Sequence, residues 1–391
     1  MIDMITTTLG EVGKVKMCKR ILKEQTSNEG DIPFYKIGTF GGQPDSFINK
    51  ELFEKYKEKF SYPQIGNTLI SASGTIGRTV RYEGEEAYYQ DSNIVWIDND
   101  ESKVLDDYLY YVYQNIRWVT TTGATITRLY NSNIESMEIK IPKDLNVQKQ
   151  IVDVLNPIEK KISLNNSICE KLELIAKTIY DYWFLQFEFP NEEGKPYKSS
   201  GGKMVWNKEL QQEIPDGWAS SKLKNIIVEN PKSKIKVSDV KNDGEIPFFT
   251  SGTDILSTSE SIVSGLNCYL NTGGNADVKY YYGEASYSTD TWCITAENET
   301  KYILPFVLNK IKPSMDKVFF QGTGLRHLQK NLLREYQFCL PDSNVVKEFS
   351  KLASDIFKKQ HYLLEENKKL ESLKQFLLPL LMNGQVTINE K

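Results

Sequence analysis

The spacing of apolar and polar positions divides the chain into globular and helical stretches. Residues 1–145 and 213–341 are dense in short β-type runs. Examples are Thr68 to Ser71, Asn93 to Ile97 and Glu138 to Ile141, then Cys268 to Asn271, Thr291 to Thr295 and Tyr336 to Leu340. Aromatic and β-branched residues fill these runs, and Gly, Asn and Pro bound them. A periodic segment from Leu105 to Trp118 reads as helix, so both stretches are expected to be mixed α/β. In 146–183 the apolar stripe is Ile151, Val154, Ile158, Ile168, Leu172, Ile175, Ile179 and Tyr182, interrupted midway by Lys161 and Asn165. In 344–382 it is Phe349, Leu352, Ile356, Leu363, Leu370, Leu373, Leu377 and Leu380. Three–four spacing held over about five heptads, with Lys and Glu between, predicts two long coiled-coil helices. Pro157 is a candidate kink near the start of the first, and Pro379 sits in the last turns of the second. A helix of about 36 residues spans roughly 54 Å. That exceeds the width of either globular stretch, so the stripes are expected to bury each other rather than pack only on their own globules.

The chain also repeats itself. Gly30-Asp-Ile-Pro-Phe34 recurs as Gly244-Glu-Ile-Pro-Phe248, and Leu9, Arg20-Ile21 and Gly38-Thr39 match Leu223, Lys234-Ile235 and Gly252-Thr253 in the same register. Further on the offset shrinks by about fifteen residues, pairing Ser73-Gly74 with Gly273-Gly274, Tyr82 with Tyr282, and the loop at Gly123 with that at Gly322. The matches continue through Ile141-Pro142 with Leu340-Pro341 and Leu172-Glu173 with Leu370-Glu371. Collinear matches whose offset falls in one direction indicate duplication, with a loop deletion in the second copy. Two copies are too few for a stacked solenoid, so a pseudo-two-fold molecule is expected.

The junction between the copies carries a resemblance. Tyr182-Trp-Phe184, the stretch FEFPNEEGKPYKSSGGKMVWNKEL and Glu213-Ile-Pro-Asp-Gly-Trp218 resemble the middle of a type I restriction–modification specificity subunit, and LLPLLMNGQV resembles its C-terminal end. The first copy lacks its own I-P-x-G-W and starts near Leu9. The resemblance covers the whole chain and implies two globular α/β target-recognition domains separated by two long antiparallel coiled-coil helices. The expected divisions are recognition domain 1 at 1–145, a central helix at 146–189, a connector at 190–212, recognition domain 2 at 213–341 and a C-terminal helix at 342–391. It further implies a non-catalytic subunit that reads a split, asymmetric target on double-stranded DNA. Two methyltransferase subunits would dock on the helices, and motor–nuclease subunits would join them. This chain would carry no cofactor, with S-adenosylmethionine and ATP held by the partner subunits.

Charge complicates that picture. Net charge is −4, whereas a chain that grips phosphates unaided usually carries a basic surplus. The deficit is not confined to a tail: 1–145 holds 17 basic and 21 acidic side chains, and 213–341 holds 14 and 15. A DNA-binding face must therefore be local, or partners must supply much of the field. A two-headed, non-enzymatic protein that binds protein or carbohydrate is the alternative reading. The five cysteines lie far apart, with no CxxC spacing. This argues against a zinc site or a disulfide framework. No membrane-length apolar run or secretory pattern is visible, so a cytoplasmic protein is expected.

Base-edge readers should be donors and acceptors on loops that both copies share. The first set is Lys36, Thr39 and Gln43 with Thr250, Ser251 and Thr253; the second is Ser71, Ser73 and Arg78 with Asn271, Thr272 and Asn275. The third is Thr125 and Arg128 with Arg326 and His327. The Gly74 and Gly123 loops fit plain positive-φ turns equally well, and His327 also fits a surface or capping role. Each copy opens on a basic run that fits a phosphate-contacting edge or a solvated strand face. These runs are Lys14, Lys16, Lys19, Arg20 and Lys23, then Lys222, Lys224, Lys232, Lys234 and Lys236. No phosphate loop, Asn/Asp-Pro-Pro-aromatic motif or histidine-based constellation is present, so no catalytic or metal residue is expected.

Overall fold

The computed structural model describes residues 2–118, 128–386 and 388. They form two compact units, Met1–Lys161 with Leu370–Lys391, and Ile162–Lys369. Each long helix is therefore shared: Leu145–Tyr180 begins in the first unit and ends in the second, and Ser343–Met382 does the reverse.

In the first unit, strand Met4–Thr8 pairs antiparallel with Glu138–Pro142, closing the globule at its ends. The main sheet runs, neighbour to neighbour, Gly13–Lys16, Ile94–Asn99, Thr68–Ser71 and Thr79–Arg81. A smaller sheet centres on Ile32–Tyr35, antiparallel to Phe47–Ile48 and parallel to Tyr88–Tyr89. The second unit repeats this topology. Ala219–Lys222 pairs with Gln337–Leu340, and the main sheet runs Ile227–Glu229, Thr291–Ala296, Leu266–Asn271 and Val278–Tyr282. Ile246–Phe249 is antiparallel to Ile255–Thr258 and parallel to Ser286–Tyr287.

The glycine that opens each Gly-[Asp/Glu]-Ile-Pro-Phe motif has a steric reason. A Cβ on Gly30 would lie 2.9 Å from the Phe47 Cβ, and one on Gly244 would lie 1.9 Å from the Thr258 carbonyl carbon. At both sites the backbone runs against the antiparallel neighbour with no room for a side chain.

Two details of the repeat need correcting. The first copy's extra residues are not merely a longer loop. They include the helix Lys50–Lys59, N-capped by Asn49, whose side chain accepts from the Leu52 N–H at 2.8 Å. Nor is Tyr82 the counterpart of Tyr282. Asn267 faces Tyr281, and its equivalent Asn67 accepts the Tyr82 N–H at 2.9 Å. The hairpin turn of the second copy is one residue shorter, which shifts the register.

The helices serve the cores in two ways. Ile151, Val152 and Leu155 pack into the first globule's core beside Leu381 and Met382 of the other helix. Val346, Phe349, Ala353 and Phe357 do the same in the second unit beside Ala176 and Tyr180. Each helix thus packs on its own globule over its first turns and also meets its partner. In the second unit the pairing is antiparallel: Asn165 bonds Asn367, and the Cys169 carbonyl accepts from the Gln360 side chain at 3.0 Å. The buried line is not the expected stripe throughout. It passes through Ala176 and Ala353, leaving Ile175 49% and Leu352 46% exposed. Ala176 and Ala353 lie in the second unit's core cluster together with Tyr180, Phe349 and Phe357. Helical geometry continues through Pro157 and Pro379. Among the described residues, no helix is long and apolar enough to cross a membrane.

Stretch 190–212 is ordered. The Tyr197 ring stacks on Phe189 at 4.5 Å between centroids, and Phe189 stacks on Trp218 at 5.1 Å. Met204–Asn207 and Gln212–Pro215 form a hairpin.

Candidate nucleic-acid interface

In each unit, hydrogen bonds stitch the loops at one end of the main sheet into a single cluster. In the first, Ser73 forms an isolated bridge with Arg128, and the Leu129 N–H donates to the Ala72 carbonyl at 2.8 Å. Ser73 Oγ donates to Asn93 Oδ1 at 2.8 Å, and the Arg128 guanidinium donates to the Ser92 carbonyl at 2.7 Å. Arg78 reaches the Phe40 carbonyl at 2.8 Å, Gln90 accepts the Ile37 N–H at 2.9 Å, and Arg20 pairs with Asp91 at 2.8 Å. The second unit builds the same cluster from different side chains. Gly273 bridges His327, and the Leu328 N–H donates to the Thr272 carbonyl at 3.0 Å. The hydroxyls of Ser251 and Thr272 both donate to the Asp290 carbonyl. Lys279 Nζ donates to the Gly252 carbonyl at 2.7 Å while pairing with Asp277. Burial opposes ionisation of Asp277, but hydrogen bonds from Lys279 and Lys312 hold its carboxyl below the usual range.

All three candidate sets of each unit therefore meet at one sheet end, except Thr125, which lies outside the described residues. They divide by role. Ser71, Ser73, Thr250 and Asn271 are buried, and their side chains are spent on the loops. Ser71 Oγ accepts the Arg78 N–H at 2.8 Å, Thr250 Oγ1 donates to the Asp254 carbonyl at 3.0 Å, and Asn271 Nδ2 donates to the Asn275 carbonyl at 3.1 Å. These four hold loops and present nothing outward. Thr39 is likewise turned onto the Lys36 backbone. Arg326 is tied to Asp316, donating to its carbonyl at 3.0 Å. Gln43, Arg78, Thr253, Asn275 and His327 remain exposed, and Lys36 is half-exposed beside Asp45.

The basic runs also divide. Lys14, Arg20, Lys232 and Lys234 are exposed and Lys16 half-buried. Lys222 and Lys224 instead both clasp Glu335, at 2.7 and 2.6 Å. Their hydrogen bonds hold the Glu335 carboxyl down at about 2. Both runs fitted a phosphate edge or a solvated strand face, and in the second Glu335 offsets one of these two charges.

The loops Gln90 to Asn93 and Ser288 to Asp290 were not among the expected site residues. Both supply acceptors that fasten the cluster. Their signal was the turn chemistry ahead of each central strand, including Ser92 at φ 52°.

Residues 1–174 match the model of the type I restriction modification DNA specificity domain. A Haemophilus influenzae protein named as a type I restriction enzyme specificity subunit is 56% identical over 178 residues, covering 45% of this chain and 45% of that protein. The first 174 residues are thus similar to type I restriction–modification specificity subunits. The matched part spans less than half the length of that Haemophilus relative. A Methanocaldococcus jannaschii specificity subunit is 24% identical over 315 residues, covering 73% of this chain and 70% of its own. The crystal structure of a type I restriction–modification S subunit from M. genitalium aligns over 100% of this chain and 97% of its own. Its TM-score is 0.59 at 15% identity, and it shares the specificity-subunit fold.

Proposed function

We propose that this chain is a type I restriction–modification specificity subunit that reads DNA and performs no chemistry on it, each unit contacting one half of a split, asymmetric target. One observation carries the reading: a single sheet topology occurs twice, and its loop cluster bears different exposed side chains each time. Gln43, Arg78 and Lys36 would face one half-site, and Thr253, Asn275 and His327 the other, as donors and acceptors for base edges. Arg20, Lys14 and Lys234 would contact phosphates. The long helices would dock two methyltransferase subunits through their exposed apolar side chains, among them Leu164, Leu174, Tyr362 and Phe376. Motor–nuclease subunits would join that assembly, and S-adenosylmethionine and ATP would be held by the partners.

The test is selection from a randomised duplex library, using the chain with its cognate methyltransferase. Two short constant blocks separated by unread base pairs should be enriched. Exchanging the exposed loop residues of one unit should change one block only. Enrichment of a single continuous block, or none, would overturn the reading. Affinity should also fall steeply with salt, which binding of a neutral carbohydrate would not.

A further inference from the structure

The second unit carries a group of cations that the repeat does not supply to the first. Trp292 is buried, and its indole N–H donates to Glu229 Oε2 at 2.9 Å. Lys330 Nζ lies 4.9 Å from the centroid of the Trp292 ring, and Arg334 Cζ lies 5.6 Å away. Arg334 also pairs with Glu229. Lys330 differs from it: among the described residues its ammonium makes no hydrogen bond or ion pair. Burial lowers its pKa; Glu229 opposes the shift, and Arg334 and Lys232 add to it. Lys330 and Arg334 thus share the Trp292 ring and the field of Glu229, but only Arg334 pairs with that carboxylate directly.

Among the described residues, the first unit has no such group at the equivalent positions. Helix Lys330–Arg334 corresponds to Asn131–Glu135, since each follows the residue that bridges the Gly loop. Asn131 and Glu135 therefore stand where Lys330 and Arg334 stand. Leu270 faces Trp292 as Ile70 faces Val95. Cys18 occupies the place of Lys232, by the offset that relates the flanking strands.

The cations also sit beside the loop cluster. Lys330 follows His327 by three residues, and Lys232 shortly precedes Ile235, whose carbonyl accepts the Thr289 N–H at 3.0 Å. On a duplex, the anions nearest to base-contacting loops are backbone phosphates. We propose that Lys330, supported by Arg334 and Lys232, is a phosphodiester clamp present on the second unit alone. The Trp292 ring face, its centroid 4.9 Å from Lys330 Nζ, favours the Lys330 charge. This inference rests on the DNA-reading role proposed above. It makes the two units unequal in kind: one grips the backbone through a built site, the other through single exposed cations.

The experiment is a salt titration of DNA affinity for the full chain with its cognate methyltransferase. It compares wild type, Lys330→Gln, Lys330→Arg and the exposed connector control Lys195→Gln. Losing one phosphate contact should reduce the slope of log affinity against log salt by about 0.9, or about eightfold in affinity at 0.1 M salt. Lys330→Gln should show that loss equally on cognate and scrambled duplexes; Lys330→Arg should keep the slope, and Lys195→Gln should match wild type. An unchanged slope for Lys330→Gln, with wild type still binding DNA, would overturn the clamp and leave the DNA-reading role standing. An equal loss in Lys195→Gln would also overturn it, as a bulk charge effect. No DNA binding by wild type at any salt would overturn the reading on which the clamp rests.

Discussion

Replacing Asn165 by Ala should weaken the second unit by an amount that its bonds allow to be worked out. Asn165 is fully buried on the helix seam. Its Nδ2 donates to Glu366 Oε2 at 2.8 Å and to Asn367 Oδ1 at 2.8 Å, while Asn367 Nδ2 donates to Asn166 Oδ1 at 2.8 Å. The bond to the carboxylate contributes about 1.5–3 kcal/mol and the neutral one about 1. Against this, Asn165 Oδ1 has no partner, and removing it returns about 1 kcal/mol. The net loss should be about 2 kcal/mol, or roughly 4–8 °C in Tm for a unit of this size. The assay is urea unfolding of the full chain at neutral pH, run as a double-mutant cycle with Asn367→Ala. Because the two residues touch, their effects should fall short of additive by about 1 kcal/mol. The companion variant, with Leu at both positions, should be at least as stable as wild type but less specific in helix register, as for a polar seam residue in a coiled coil. A shift below about 0.5 kcal/mol with strict additivity would refute the argument that this layer is a bonded unit.

Other outcomes follow from the same structure. Gly77→Ala should destabilise the first unit well beyond Gly194→Ala, as read by urea midpoints. Both have positive φ, 79° and 73°, but a Cβ on Gly77 would meet Trp118 Cδ1 at 2.1 Å while Gly194 has open space; the backbone conformation alone costs about 1–2 kcal/mol. Ser73→Ala should cost about 1–3 kcal/mol by leaving Asn93 Oδ1 without its donor, measured by thermal unfolding. For pH, the Glu335 carboxyl titrates at about 2 in the fold, below its unfolded value near 4.3. Its stabilising contribution is thus complete above the unfolded value and is lost as pH falls through about 2. Glu335→Gln should lower stability at neutral pH, flatten the acid limb of the stability–pH curve over that window and match wild type below about pH 2.

The repeat, the strand content and the two long helices were legible from spacing alone, because each depends on local periodicity and on glycines with steric duties. The exact seam was not. A three–four rule ranks side chains by hydrophobicity and so chose Ile175 and Leu352, whereas the second unit's core buries Ala176 and Ala353. Asn165 reads as a fault in the stripe, yet it lies on the seam, and its bonds to the opposite helix appear only when both helices are placed. For the loop cluster, the sequence located the loops but not the duty of each residue. Ser73 and Gln43 are equally polar, and only tertiary burial assigns one to holding the loop and the other to the surface. Lys330 was passed over because it lies in a short helix, and its tie to Trp292 spans distant sequence.

The central claim, that this chain directs a complex to a split DNA target, is tested most directly by mapping methylated adenines across the source genome, with and without the chain. The account predicts a bipartite, asymmetric methylated motif that disappears when the chain is deleted and changes in one half only when the exposed loops of one unit are exchanged. A map that is unchanged by deletion would contradict it.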